Sequence, residues 1–248
     1  MAGDLDGAND CWDQLLEQWP TDMLALRLQH FRLFNRGRLA DMERSIRRSI
    51  VAWDDRPRRT YLDGMLAFSL EEQGRYREAE ALGRSAVGAD ETDLWSIHSV
   101  AHVLEMEGRA DDGLAWFANR DQVLAASGSF ARHLWWHHAI IHLRTGDVEQ
   151  ILAMYDAYVD PIDATDGLSL TNAIDLLARL EFHDVNVGDR WAALAAGASY
   201  RIGFHDQPFN DAHYCYALAR AGASDLASEI VEGMAAWRDR SGTAAEVI

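Results

Sequence analysis

The feature that most constrains this chain is a recurring glycine. Gly37, Gly74, Gly108, Gly146, Gly188 and Gly222 stand in similar settings, at intervals of 37, 34, 38, 42 and 34 residues. Most of them follow one apolar helical pattern and precede another. Glycine supplies the positive φ that ends a helix and lets the chain double back. The clearest copies are Gly74-Arg75-Tyr76-Arg77-Glu78-Ala79 and, 34 residues later, Gly108-Arg109-Ala110-Asp111-Asp112-Gly113. Self-similarity at this period is the mark of stacked helix hairpins.

The apolar spacing agrees. After Gly146 the set Val148, Ile151, Leu152, Tyr155 and Val159 recurs at helical intervals, and after Gly222 the set Leu226, Ile230, Met234 and Trp237 does the same. One face of each second helix is therefore buried, and a single hairpin is too small to bury it without neighbours. The first helices of six hairpins are predicted at roughly 21–35, 60–73, 93–107, 131–145, 169–183 and 208–221. A capping helix within residues 1–20 precedes them, the hairpins fill 21–237, and 238–248 is expected to be a flexible tail. Loops are expected at 119–130, 160–167 and 203–208. With only four prolines and no Pro- or Ser-rich linker, the chain reads as one helical-repeat domain, 1–248.

Charge narrows the function classes. A formal net charge of −17 opposes binding to nucleic acid or to an anionic membrane surface. Cys11 and Cys215 have neither a disulfide framework nor metal-ligand spacing. The acidic first twenty residues lack the basic and apolar regions of a secretory signal, and no apolar run has the length of a membrane span. The expectation is a cytoplasmic protein without a membrane anchor. An apolar last helix around Val231 to Trp237 offers a surface for a homodimer.

Two runs are more specific than the glycine period: His98-Ser99-Val100-Ala101-His102-Val103-Leu104-Glu105-Met106-Glu107-Gly108-Arg109 and His133-Leu134-Trp135-Trp136-His137. With Leu152 to Asp156, Asp175 to Leu180, Gly188 to Trp191 and Phe209 to His213, they resemble the tetratricopeptide repeat protein 38 family over about residues 60 to 237. The chain departs from that pattern at Ala178, where the family favours Trp. The resemblance implies a helical fold with a shared polar interior and brings no settled activity. The fold class expected is all-α, a tetratricopeptide-like α-solenoid of about six helix hairpins curved around an internal polar pocket.

Counted back from each glycine, His98, His102 and Glu105 fall at −10, −6 and −3, one stripe of one helix face. His133 and Asp175 fall at −13, and His137, Arg179 and His213 at −9. Ionisable groups repeated on one face cost energy that a plain core would avoid. They are read as a pocket with Trp95, Trp135, Trp136 and Phe209 as apolar walls. The chemistry expected is general acid–base catalysis on a small molecule, without a cofactor. His102 is the expected base or acid and Glu105 its orienting partner. His98, His137 and His213 are read as proton donors or oxyanion partners, with Asp211 able to orient His213 or another imidazole. Arg179 is the expected anchor for an anionic substrate group, alongside His133 and Asp175. Two further readings stay open. A tetratricopeptide scaffold would bind a peptide or protein partner. A metal, if present, would use His98 and His102, whose i, i+4 spacing is a real ligand spacing. Ser99 stands where a zincin places its catalytic glutamate, so that motif is excluded.

Overall fold

The computed structural model describes residues 5–241 except 55, 57, 126–127, 161–165 and 206, with the backbone alone for Leu5, Asp6, Ser129 and 237–241. Among the described residues there are fourteen α-helices and no strand, so the protein is all-α. The chain folds as two compact units, Met1–Arg109 and Ala110–Ile248.

The first unit holds α1 (Leu5–Gln18), α2 (Met23–Asn35), α3 (Leu39–Ile50), α4 (Thr60–Glu71), α5 (Tyr76–Ala89) and α6 (Leu94–Met106). Each packs on the next one or two, and α4 lies against both α5 and α6. Helices α4 and α6 are apolar nearly all round, as central helices are. Leu62, Met65, Ala67, Ile97, Val100 and Val103 are fully buried. Gly64 lets α4 and α6 approach closely, because a Cβ there would run into the Ser96 hydroxyl. Ser99 Oγ donates to the Gly64 carbonyl at 3.0 Å, tying the crossing together. The start of α6 is held by Asp93, wholly buried, whose carboxylate accepts from the backbone N–H of Trp95 and Ser96.

The second unit holds α7 (Ala110–Phe117), α8 (Asp121–Ala125), α9 (Ser129–Thr145), α10 (Val148–Met154, continued by a π-turn over Tyr155–Val159), α11 (Gly167–Phe182), α12 (Arg190–Tyr200), α13 (Pro208–Arg220) and α14 (Ser224–Ser241). Here α11 packs against α9 and α13, with α10 against α9 and α14 against α13. Helix α14 continues to Ser241, past the boundary expected at Trp237. The rest of the expected tail, 242–248, lies outside the described residues, as do most of the 160–167 loop and parts of the other two. Val231 is exposed on α14. No helix among the described residues is long and apolar enough to cross a membrane.

The predicted first helices of all six hairpins are present within a few residues, and five of them end in one motif. The backbone N–H of Arg38, Arg75, Arg109, Val185 and Ala223 donates to the carbonyl of Leu33, Leu70, Leu104, Leu180 and Leu218, at 2.9–3.0 Å. Each of those leucines is buried. The residue before each donor has positive φ: Gly37, Gly74, Gly108, Asp184 and Gly222. Helix α9 ends differently, with Gly146 N–H on the His142 carbonyl at 3.1 Å. The fifth case corrects the sequence register. Asp184, not Gly188, terminates α11, and a short polar side chain tolerates that conformation better than most. Asp175 therefore lies nine residues before its turn residue, level with His137 and His213, whereas Arg179 lies only five before it.

Candidate functional site

In the first unit, α4 and α6 build a cluster of polar and aromatic rings. The Trp95 and His98 rings stack at 4.9 Å, and the His98 and His102 centroids are 4.2 Å apart. Phe68 of α4 sits against both imidazoles, at 5.3 and 5.4 Å. Trp95 and His98 are buried. The approach permitted by Gly64 brings the last turn of α4 to the same place, and Glu71 Oε2 lies 3.3 Å from His102 Nδ1. Only 4% of Glu71 is exposed.

Three ionisable groups are coupled here. Burial, and then the neighbouring charge of Glu71, push the Glu72 carboxyl up to about 7. Glu72 therefore holds its proton to higher pH than an ordinary glutamate does. Burial alone would lower the basicity of His102. The Glu71 hydrogen bond, with the charges of Glu71, Glu105 and Glu72, outweighs that and raises it above the ordinary imidazole value. Glu71, from another helix, thus stands where a carboxylate can orient His102, and the charge of Glu105 acts on the same imidazole. A signal for Glu71 existed in the sequence, since it stands three residues before Gly74 as Glu105 stands three before Gly108. Glu71, Glu72 and His102 bring one donor atom each within 4.8 Å of one another, a spacing that a cation as well as a proton can use.

His30 of α2 joins the same face and was not singled out by its sequence setting. It is 2% exposed and lies 5.9 Å from Phe68 and 5.8 Å from Trp95. Neither ring nitrogen has a hydrogen-bond partner among the described residues. Burial, then the charge of Arg27, lower its pKa to about 3, so it is a neutral imidazole. The Arg27 guanidinium lies over the Trp95 ring, 3.7 Å from its centroid. The same cation caps Phe31 at 4.4 Å.

In the second unit, α9 and α11 place His133, Trp136, His137, Asn172 and Asp175 together. His133 Nε2 is 3.2 Å from His137 Nε2, and His133 Nδ1 is 3.3 Å from Asn172 Oδ1. Trp136 stacks on His133 with its ring nearly parallel and donates Nε1–H to Asp175 Oδ2 at 3.0 Å. The same carboxylate oxygen accepts from Arg179 Nε at 2.7 Å. Arg179 is thus already neutralised by Asp175 one turn back, which weakens its expected role as an anion anchor. Trp135 faces elsewhere, buried and stacked on Tyr158 at 4.0 Å, so it packs rather than walling the His133 group.

The expected Asp211–His213 pair does not form, because residues two apart on a helix point to different faces. Asp211, 2% exposed, is 3.0 Å from His205 Nδ1 instead. His213 Nδ1 donates to the Phe209 carbonyl at 2.7 Å and stacks near the Phe209 ring, which is exposed. His205 has positive φ and fills the space where a Cβ on Gly233 would stand. His138 is stacked on Phe117. Burial, then the charge of His142, lower its pKa to about 4. No family model matches the chain.

Proposed function

We propose that the protein is a small-molecule enzyme in which His102 exchanges a proton with the substrate, Glu71 positions the imidazole, and Glu72 is a second proton-holding group beside them. The reading is carried by one observation, the 3.3 Å approach of a 4%-exposed carboxylate to the imidazole Nδ1. A carboxylate behind a histidine fixes its tautomer and stabilises the imidazolium that forms when the far nitrogen takes a proton. Two carboxyls with oxygens within 4.8 Å of each other cannot both ionise easily, and burial together with this proximity raises Glu72 to about 7 beside Glu71. His98, Trp95 and Phe68 supply a flat aromatic surface beside the reacting imidazole. The tetratricopeptide-like solenoid, and the resemblance to the tetratricopeptide repeat protein 38 family, are part of the same proposal. The five Leu–turn motifs support it, since they repeat one hairpin geometry along the chain.

A scaffold reading draws on a different observation. Leu24, Leu28 and Phe31 form an exposed apolar stripe at i, i+4 and i+7 on α2. The two readings separate in one experiment. Purified protein is incubated with a metabolite extract and the extract is compared by mass spectrometry for wild type, His102→Ala and Glu71→Gln. The enzyme reading requires a compound that wild type depletes and His102→Ala depletes about 100-fold more slowly or less. Equal depletion by wild type and His102→Ala refutes the assignment of His102, and loss of a bound partner on Leu28→Asp without any depletion favours the scaffold.

A further inference from the structure

We infer that His133 and His137 form a two-nitrogen chelate for a borderline divalent transition metal, Zn(II), Ni(II) or Cu(II), at the start of α9. The inference stands apart from the His102 reading, and its test needs no turnover.

Residues four apart on a helix carry neighbouring side chains. Here the two Nε2 atoms converge to 3.2 Å. Metal–imidazole bonds of about 2.0–2.1 Å separate two donors by about 3.3–3.4 Å at a tetrahedral angle, and by about 2.9 Å at a right angle. The observed separation lies between those values. Imidazole is the donor that suits zinc, copper and nickel.

Three neighbours prepare the pair. Asn172, 6% exposed, presents its Oδ1 to His133 Nδ1 at 3.3 Å. A carbonyl oxygen only accepts, so the proton of neutral His133 sits on Nδ1 and the Nε2 lone pair is turned toward His137. This is the outer hydrogen bond that metal-ligating histidines have. Trp136 stacks on His133 and fixes the ring plane, and is itself fixed by its bond to Asp175. His137 is 2% exposed and the α9 backbone sets its position. The simplest rival is an N–H···N hydrogen bond between the imidazoles, which would leave the pair without metal affinity.

The test uses full-length protein, stripped with chelator and dialysed, titrated with Cu(II) alone and with Zn(II) alone by calorimetry. Electron paramagnetic resonance is recorded on the Cu(II) sample. The expected result is one equivalent bound, with nitrogen superhyperfine structure. Affinity should fall at least 100-fold in His133→Ala and in His137→Ala, about 10–100-fold in Asn172→Leu, and not at all in His183→Ala on an exposed turn. If buried His137→Ala does not fold, as judged by circular dichroism, His133→Ala and the wild-type spectrum decide. Wild type that binds no stoichiometric metal overturns the inference. So does binding unchanged in His133→Ala, or binding kept there but lost in His98→Ala or His102→Ala.

Discussion

Glu71 reaches from the end of α4 to within 3.3 Å of His102 on α6, and it stands 34 residues before Glu105, the carboxylate on His102's own helix. The carboxylate beside the imidazole therefore comes from a different helix, α4. Replacing Glu71 by Gln keeps the shape and removes the charge. In an imidazole NMR titration the His102 pKa should fall. The stability consequence has a definite sign. The folded pKa of His102 is raised, so its contribution is fully present below the unfolded value of about 6.5 and lost as the pH rises through the folded pKa. Glu72, raised to about 7, acts in the same sense. The stability gap between wild type and Glu71→Gln should shrink as the pH rises above about 6.5 in urea titrations. A gap independent of pH would show that Glu71 is not coupled to a titrating neighbour.

His30 has the opposite sign. Its folded pKa is lowered to about 3, so between the unfolded value of about 6.5 and that point the unfolded chain binds the extra proton. Stability associated with His30 is present above about pH 6.5 and is lost as the pH falls, by up to about 1.4 kcal/mol per pH unit. His30→Phe should flatten the acid side of the stability profile and leave the protein folded, because the ring is packed among Phe31, Phe68 and Trp95. An unchanged acid slope would mean that His30 is solvated.

The shared turn makes a backbone prediction. Gly74 and Asp184 hold the same place after α4 and α11, both with positive φ. Gly74→Ala forces a Cβ into that conformation and should cost about 1–2 kcal/mol. Asp184→Gly relieves the same strain and should be neutral or stabilise by a few tenths to about 1 kcal/mol. Thermal melts of the two variants check this, and a stabilising Gly74→Ala would contradict the turn geometry.

These cases show what the sequence carries. Helix positions were legible because turn glycines and apolar spacing repeat; the N-caps Asp22, Asp93, Asp147 and Asp166 emerged only in the structure. The stripe of His98, His102 and Glu105 was legible as a helix face, and so was the His133–His137 pair. What failed was pairing across helices. Gly188 looked like the turn residue of the fifth hairpin, which displaced Asp175 and Arg179 by one turn against the histidines of the other helices. Glu71 was missed because its partner lies on another helix. His30 lies seven residues before Gly37, outside the register of the other histidines, so no local pattern announced it.

The α13 region turns the same lesson into a comparison of two histidines. Sequence spacing joins Asp211 to His213, whereas the fold joins it to His205, with side-chain exposures of 9% for His205 and 3% for Asp211. Removing one partner of a buried pair strands the other, at about 3–5 kcal/mol when both are charged. His205→Ala also opens space beside Gly233 that the ring had filled. His213 makes one local bond to the Phe209 carbonyl on a half-buried ring, so His213→Ala should cost no more than about 1 kcal/mol. Urea unfolding of both variants, with Asp211→Asn and the His205→Ala/Asp211→Asn double variant, completes a cycle. The structure requires His205→Ala to be the more damaging single change and to couple to Asp211. Coupling of Asp211 to His213 instead would restore the pairing read from sequence.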